Sequence, residues 1–448
     1  MGQIDFLISR FKKQPNAGAI VCQDAVMTFG QLDESIGANS DWLKKNGVLP
    51  GSAVILKGDY SPLAISMLLA LIEQNCIVIP LTAATFNNVF NQLHDVGPAF
   101  TVDVSGEYPK IESWQYINAP SLYGILRERN APGLVLFTSG SSGKPKAVVH
   151  DFSKLLEKFH VIRLGMITLN FLLFDHWGGL NTLLHGLSNS CLIVVPEKRS
   201  PEYICKLIQD HKIELLPATP SFINSLLISK GYKAYDLSSL KLITYGAEPM
   251  AELTLKNLRL NFPNIDLRQT YGMIELGVLR AKSRSPDSLW VKLGGEGYST
   301  RVVDGILQIR ADAAMLGYIN ADSPFTDDGY LITGDLVETD GEWVRILGRK
   351  SDIINVGGQK VYPTEVESVL LDCPQVLDAI VYGEPNPLLG KIVCANVVLQ
   401  EGISEKEARS IIRKHCGRLL QPFMVPTKFS FVDEIAQSTR LKRVRSNH

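Results

Sequence analysis

The sequence lacks the patterns that mark a zinc site, a disulfide framework or a membrane span. Its seven cysteines stand alone, without a Cys-x-x-Cys pair, and such an odd, dispersed set indicates reduced thiols. The 45 basic and 46 acidic residues leave a net charge of -1, which argues against binding nucleic acid or anionic lipid through bulk charge. The apolar stretches are short and interrupted, and the first residues lack a secretory cleavage site. We therefore expect a cytoplasmic protein with no membrane span and no nucleic-acid partner.

The first part of the chain alternates between two kinds of apolar pattern. Residues 52–59 and 76–81 are typical of buried strands, and residues 61–75 between them are typical of a buried helix. The same alternation returns over residues 190–250. Strands separated by helices predict parallel strands that are covered by those helices.

From about residue 291 the pattern changes to short strands separated by glycines. The pairs Asp304-Gly305 and Asp340-Gly341 are typical of hairpin turns, so we expect a small antiparallel β subdomain. The last part of the chain mixes helical and strand patterns and is long enough to fold separately. We therefore predict an α/β protein with a large N-terminal domain, residues 1–350, and a smaller α+β C-terminal domain, residues 351–448. The large domain would contain mixed and parallel sheets covered by helices, together with the β subdomain.

The most informative segment is a Ser- and Gly-rich loop that follows an apolar strand at residues 134–137. Glycines permit tight turns in which adjacent N–H groups converge on an anion, while the hydroxyls and two lysines add donors and charge. A flexible linker is the alternative, but the preceding strand and the following Lys-Pro-Lys favour a loop that binds a polyphosphate. The candidate residues are Thr138, Ser139, Gly140, Ser141, Ser142, Gly143, Lys144 and Lys146.

This loop, TSGSSGKPK, resembles the phosphate loop of the adenylate-forming superfamily, which includes acyl-CoA synthetases, aryl-acid ligases and adenylation domains. Further motifs of that family are matched in the same order, at residues 271–275, 333–335, 348–352 with 357–363, and 422–426 with Lys442. The resemblance covers nearly the whole chain. It implies an acid–thiol ligase that joins a carboxylate to the α-phosphorus of ATP, releases pyrophosphate and passes the acyl group to a thiol. ATP, Mg²⁺ and coenzyme A are the implied cofactors, and a small carboxylic acid is the implied substrate.

The resemblance also implies roles for individual residues. The Ser/Gly loop would hold the β- and γ-phosphates, and Tyr271 would pack on the adenine. Glu275 would bind the magnesium ion and so take part in catalysis. Asp335 would bind the ribose hydroxyls, since an ionised carboxylate is only an acceptor, and Arg349 would contact the same ribose. The remaining residues implied on the adenine side are Gly246, Ala247, Glu248 and Gly272.

Lys442 is the implied catalytic lysine. An ammonium between the substrate carboxylate and the α-phosphate would reduce the repulsion where the two anions meet. The alternative is that Lys442 belongs to a solvated basic tail with Arg440, Arg443 and Arg445. The spacing of Lys442 and Arg445 matches the family pattern, which favours the catalytic role.

The resemblance further implies that the C-terminal domain is mobile, with a hinge at Ser351. In one pose Lys442 would point inward for adenylation. In the other, rotation would bring the thiol-side loop, represented by Gly357, Gly358 and Lys360, to the site for attack by the thiol.

The chain departs from the family pattern at three positions. Ile274 replaces a threonine whose hydroxyl would donate to the α-phosphate, Leu441 replaces a glycine, and Ser351 replaces the usual Asp or Lys. These changes leave open a slow, specialised or inactive member of the family. The retained lysines and carboxylates favour an active one.

The walls of the acid pocket are less clearly marked. His176 and Trp177 stand where the family often has a histidine or an aromatic gate, although a core histidine fits His176 equally well. Asp175 is an alternative, as a group that would recognise a substrate ammonium. Small or aromatic acids are favoured over long chains. Further candidate wall residues are Thr219, Phe222, Tyr245 and Met273.

The thiol acceptor is not identified by the sequence. Coenzyme A is the first choice, and the phosphopantetheine of a carrier protein is the alternative. A non-catalytic protein that binds a nucleotide or an acyl-adenylate is the rival from a different class.

Overall fold

The structure is a computed structural model, and it describes residues 2–115, 119–138, 144–436, 443 and 445. Its helices are α1 (Asp5–Phe11), α2 (Phe29–Lys45), α3 (Pro62–Glu73), α4 (Ala83–Val89), α5 (Leu93–Val96), α6 (Ser121–Glu128), α7 (Phe152–Leu156), α8 (Trp177–Ser188), α9 (Pro201–His211), α10 (Pro220–Ser229), α11 (Glu252–Asn261), α12 (Pro363–Leu371) and α13 (Glu405–Leu419).

The strands of the first half are β1 (Gly18–Cys22), β2 (Ala25–Thr28), β3 (Ala53–Lys57), β4 (Ile77–Leu81), β5 (Phe100–Asp103), β6 (Lys110–Ser113), β7 (Gly133–Thr138), β8 (Lys146–Asp151), β9 (Thr168–Leu169), β10 (Ile193–Val194), β11 (Leu215–Ala218), β12 (Leu242–Tyr245) and β13 (Asp266–Gln269). Those of the second half are β14 (Tyr271–Met273), β15 (Gly277–Ser283), β16 (Trp290–Gly294), β17 (Tyr298–Val303), β18 (Ile306–Ala311), β19 (Gly317–Tyr318), β20 (Leu331–Asp340), β21 (Trp343–Arg349), β22 (Ile354–Val356), β23 (Gln359–Val361), β24 (Val376–Asn386), β25 (Gly390–Leu399) and β26 (Lys428–Phe431).

The predicted parallel strands are present in two sheets. In one sheet β3 lies between β4 and β5, and β4 also pairs in parallel with β7. Helix α3 connects β3 to β4, and its residues 64–72 are all buried. Strand β7 ends at Thr138, so the Ser/Gly loop begins at the end of this strand. The α/β expectation is confirmed for this part of the chain.

The second sheet places three strand ends side by side. Strands β11, β12 and β13 run in parallel, so that Ala218, Tyr245 and Gln269 lie at the same edge. Helix α10 begins directly after β11, because the Thr219 hydroxyl accepts a hydrogen bond from the N–H of Phe222 and Pro220 occupies the first turn. Ligands of α/β proteins bind at the carboxyl ends of parallel strands, and this edge opens on the cavity described below.

The third sheet is antiparallel and follows the order β14-β15-β16-β21-β20-β18-β17. It confirms the predicted β subdomain, although its first strand begins at Tyr271, well before the change of pattern seen in the sequence. Asp304 and Gly305 form the β17–β18 turn with φ angles of 50° and 74°, as the sequence predicts. The second turn lies one residue later than the sequence predicts, because Asp340 pairs with Trp343 and the turn residues are Gly341 and Glu342.

The C-terminal part has a sheet and a hydrophobic core of its own. Strands β22 to β26 form the sheet, and α12 and α13 pack on it through buried residues such as Val366, Leu370 and Ile412. A single helical turn, Lys350–Asp352, connects β21 to this unit. The smaller α+β unit is thus confirmed, whereas a domain boundary at residue 350 stays a prediction. Within the described ranges no helix is both long enough and apolar enough to cross a membrane.

Candidate active site

A cavity of about 740 Å³ lies between the two units of the chain. Its walls come from the edge formed by β11, β12 and β13, from the antiparallel sheet, and from the C-terminal unit. Many of the predicted site residues line it together: Thr138, Lys146, His176, Trp177, Gly246, Ala247, Glu248, Tyr271, Gly272, Met273, Glu275, Asp335, Arg349 and Ser351.

Other predicted residues are placed elsewhere. Ser139, Gly140, Ser141, Ser142, Gly143, Leu441 and Lys442 lie outside the described residues. Lys144 is exposed and borders a neighbouring hollow that shares Lys146 with the main cavity. The candidates that are absent from the cavity wall are Asp175, Thr219, Phe222 and Tyr245, which are buried, and Gly357, Gly358 and Lys360, which are exposed on the β22–β23 hairpin.

Asp335 lies at the centre of a buried polar group on the β20–β21 hairpin. Its Oδ1 is 2.7 Å from Nε of Arg349, and its Oδ2 accepts a hydrogen bond of 2.5 Å from the Tyr271 hydroxyl. Burial raises the pKa of Asp335, and the neighbouring Arg349 guanidinium opposes that shift. The arrangement holds a carboxylate at the cavity wall with its remaining lone pairs available to a ligand's hydroxyls.

Glu275 and Lys146 are linked through a tyrosine that the sequence did not indicate. The Tyr318 hydroxyl donates a hydrogen bond of 2.7 Å to Oε1 of Glu275, while the Lys146 ammonium lies 5.1 Å from the centre of the Tyr318 ring. Tyr318 is therefore a structural support for both charged residues. No motif around it marks this role, because the contacts join β8, β14–β15 and β19, which are distant in sequence.

The site can accommodate magnesium through Glu275. Among the residues that the structure describes, no cluster of three metal-binding side chains is present. Magnesium in nucleotide sites is commonly held by one or two carboxylates together with the substrate's phosphates, so a single carboxylate on the cavity wall fits that ion. There the ion would neutralise charge on the phosphates.

The segment that follows β12 approaches its neighbours very closely. A Cβ atom added to Gly246 would lie 2.4 Å from the Thr270 hydroxyl oxygen, which explains glycine at that position. Ala247 has a φ angle of 69°, and Glu248 then reaches α10, where its Oε2 accepts hydrogen bonds from the Ser221 hydroxyl at 2.5 Å and from the Ser221 N–H at 3.2 Å. The segment is thus held rigidly against the cavity.

The predicted acid-pocket residues divide into two groups. Nδ1 of His176 accepts a hydrogen bond of 3.1 Å from the N–H of Gly178 and so begins α8, and Trp177 lies on the same cavity wall although little of its surface is exposed. Asp175, in contrast, points to the N-terminus of α4, where Thr82 donates to it through both its hydroxyl and its N–H. This placement does not support Asp175 as a group that recognises a substrate ammonium. Phe222 packs on Phe171 in the core.

The main chain of Ile274, the residue of the 271–275 motif that departs from the family pattern, is held by a hydrogen bond to a buried histidine. Nε2 of His150 lies 2.6 Å from the Ile274 carbonyl oxygen. His150 is only 1% exposed, and burial lowers its pKa to about 4, so the ring is neutral at pH 7. A neutral imidazole that donates through Nε2 satisfies this carbonyl without placing a charge beside the cavity.

Two family models match the chain. The AMP-binding enzyme model matches residues 125–305, and the model of the AMP-binding enzyme C-terminal domain matches residues 365–442. These ranges together cover more than half of the chain and include Lys146, Tyr271 and Glu275 of the cavity, whereas Asp335 and Arg349 lie between the two ranges. The chain belongs to the AMP-binding enzyme family.

Similar proteins agree with this assignment over the full length. A 2-succinylbenzoate–CoA ligase of Bacillus subtilis is 25% identical, with 99% of this chain and 97% of that protein covered. Among solved structures, the anthranilate CoA ligase AuaEII with anthranoyl-AMP has a TM-score of 0.84 at 21% identity, covering 99% of this chain and 95% of that one. The o-succinylbenzoate CoA synthetase of Bacillus subtilis has a TM-score of 0.73 at 21% identity, covering 99% and 97%. The AMP-binding fold is therefore common to these proteins and this one.

Proposed function

We propose that this AMP-binding enzyme activates a small carboxylic acid with ATP, releases pyrophosphate and transfers the acyl group to coenzyme A. The observation that carries this proposal is one cavity that combines the ion pair of Asp335 and Arg349, Glu275 with Lys146, and an apolar wall that includes Trp177 and Met273. One part of that wall suits a nucleotide and the other suits an organic acid. The carboxylate of the acid and the α-phosphate of ATP would then meet between these two parts of the wall.

In this proposal the chain supplies orientation and charge. Asp335 accepts hydrogen bonds from the ribose hydroxyls, and Lys146 with the Ser/Gly loop binds the phosphates. Glu275 would hold a magnesium ion, which would reduce the negative charge on the triphosphate. Lys442 stabilises the pentavalent transition state, in which the acid's carboxylate oxygen attacks the α-phosphorus and the bond to pyrophosphate breaks.

The acid is proposed to be aromatic. His176, Trp177 and Met273 give the wall an aromatic and flexible apolar surface, and relatives are named for 2-succinylbenzoate. A ring stacked or edge-packed on Trp177 would fit a wall of this kind. The acceptor is proposed to be coenzyme A, because the names of those relatives give coenzyme A as their acceptor.

The test is acid-dependent exchange of labelled pyrophosphate into ATP, measured with a panel of 2-succinylbenzoate, anthranilate, benzoate and octanoate. We expect exchange with at least one aromatic acid and little with octanoate. Absence of exchange with every acid, together with ATP binding, would favour a non-catalytic binding protein instead. With the best acid, coenzyme A and a phosphopantetheine-loaded carrier protein are then compared as acceptors, and thioester formed only on the carrier would overturn the choice of coenzyme A.

Lys442→Ala tests the proposed catalytic lysine in the same assay. Loss of one charged group that acts on the transition state typically costs about 3 kcal/mol, or roughly a hundredfold in rate. We expect exchange to fall by about that factor while Arg440→Ala, which removes a charge of the same basic tail, changes it little. Exchange at the wild-type rate in Lys442→Ala would assign Lys442 to the solvated tail.

A further inference from the structure

Five residues form a closed ring of hydrogen bonds between the two units of the chain. Glu248 accepts from Ser221 through Oε2 and from the main-chain N–H of Arg443 through Oε1, at 2.9 Å. The Arg443 guanidinium donates to Oδ1 of Asp378 at 2.8 Å, and Nδ2 of Asn224 donates to the same oxygen at 3.0 Å. Ser221 and Asn224 are one turn apart on α10, which closes the ring.

The ring is charged and largely shielded from solvent. The side chains of Asp378 and Arg443 are 15% and 16% exposed, and burial raises the pKa of Asp378 while Arg443 opposes the shift. A buried carboxylate of this kind is stable only with its partners in place, so removing one partner leaves an uncompensated charge. The ring is therefore sensitive to any change in the relative position of the two units.

Arg443 is anchored on the C-terminal unit and reaches across to the large one. Its guanidinium also donates to the carbonyl of Ala379 at 3.0 Å, and two residues later Arg445 pairs with Glu367 and donates to the carbonyl of Val381. These contacts fix the chain along β24. At the same time Arg443 and Arg445 line the cavity, so this anchoring brings the chain next to Lys442 to the site.

The ring joins the two units in the arrangement that the structure shows. Ser221, Asn224 and Glu248 lie on the large unit and Asp378 on the small one, so a rotation that exposes the cavity to the thiol-side hairpin must break it. The hairpin residues Gly357, Gly358 and Lys360 are exposed and away from the cavity wall in this structure. We propose that Asp378, Asn224 and Arg443 are positioning residues that hold the C-terminal segment for the adenylation half-reaction and are released for thioester formation.

This inference rests on the proposed function, and it is tested by separating the two half-reactions. The first is followed as acid-dependent pyrophosphate exchange, and the second as thioester formation from chemically synthesised acyl-adenylate and coenzyme A. Asp378→Asn is the main variant, because Asp378 does not line the cavity and the amide keeps its size. We expect exchange to fall at least tenfold and thioester formation to stay within twofold of wild type.

An exchange of side chains provides the rescue. Asn224→Asp places a carboxylate against that of Asp378, so it should lower exchange more than Asn224→Ala does. The double variant Asn224→Asp with Asp378→Asn restores one amide and one carboxylate across the same contact. It should recover exchange to within about threefold of wild type, which a loss of folding would not allow.

Lys428→Gln is the matched control, since it removes a charged pair with Glu384 that lies within the C-terminal unit and outside the ring. It should leave both half-reactions unchanged. Equal loss of both half-reactions in Asp378→Asn, or no loss in either, would overturn the inference. A wild-type protein without exchange for any acid would instead overturn the proposed function itself, before any ring variant is compared.

Discussion

Asp335 and Arg349 are paired twice, once through the backbone and once through their side chains. They are direct cross-strand partners in the β20–β21 hairpin, and Nε of Arg349 lies 2.7 Å from Oδ1 of Asp335. Side chains of directly opposed residues lie on the same face of a sheet, so the register of the hairpin brings acid and base together at the cavity. The fold thus positions the pair before any ligand binds.

Asp335→Asn should weaken ATP binding. The amide keeps the shape but loses the charge that strengthens hydrogen bonds to the ribose, and a bond to a charged group contributes about 1.5–3 kcal/mol. We expect the KM for ATP in pyrophosphate exchange to rise by about 10- to 100-fold. Asp340→Asn is the control, because Asp340 lies on the same strand and pairs with Arg284 at the surface. A KM that changes equally in both variants would remove Asp335 from the nucleotide site.

Glu275→Gln should change the dependence on magnesium. The amide can still accept the hydrogen bond from the Tyr318 hydroxyl, so the wall keeps its structure while the anionic ligand is lost. We expect the magnesium concentration for half-maximal exchange to rise at least tenfold at fixed ATP. Glu296→Gln, in an exposed turn, should leave that concentration unchanged. An unchanged magnesium midpoint in Glu275→Gln would show that Glu275 does not bind the ion.

Ile274→Thr should accelerate adenylation. The side chain lies on the cavity wall, and the His150 contact fixes its backbone, so a hydroxyl introduced there would face the same space. One added hydrogen bond to a phosphate is worth about 1.5 kcal/mol, or roughly a tenfold gain in exchange rate. Ile274→Val shortens the side chain without adding a donor and serves as the comparison. Equal rates for the Thr and Val variants would mean that the lost hydroxyl is not what distinguishes this chain.

Much of this site could be predicted because its residues come in ordered motifs on well-defined local elements. The strand before the Ser/Gly loop and the turn at Asp304-Gly305 follow from local pattern and from the backbone freedom that such turns require. The family resemblance, rather than local pattern, implied that Asp335, Arg349, Glu275 and Tyr271 share one site, and the structure places all four on the cavity wall.

What could not be predicted depends on contacts between distant elements. Tyr318 donates a hydrogen bond to Glu275, which is 43 positions away in the sequence, and Asn224 donates one to Asp378, which is 154 positions away.

Side-chain direction was also beyond the sequence. The ends of β11 and β12 were correctly expected at the site, but helix and sheet packing turns three side chains there into the core, those of Thr219, Phe222 and Tyr245. The Asp340-Gly341 turn shifted by one residue because cross-strand register, rather than turn composition alone, decides which residues form the loop.

His150 makes the stability of the protein dependent on pH. Its pKa is lowered by burial to about 4 in the folded state, whereas an unfolded histidine titrates near 6.5, so between these values only the unfolded chain takes up the proton. The contribution to stability is therefore complete above about pH 6.5 and is lost as the pH falls towards 4. From pH 7.5 to pH 5.0 the free energy of unfolding should fall by about 2 kcal/mol through this one group.

His150→Gln keeps a donor for the Ile274 carbonyl but does not titrate. Its free energy of unfolding in urea should therefore fall by about 2 kcal/mol less than that of wild type over the same interval. His160→Gln, at an exposed position, should retain the wild-type dependence, and parallel curves for His150→Gln and wild type would contradict the buried neutral imidazole.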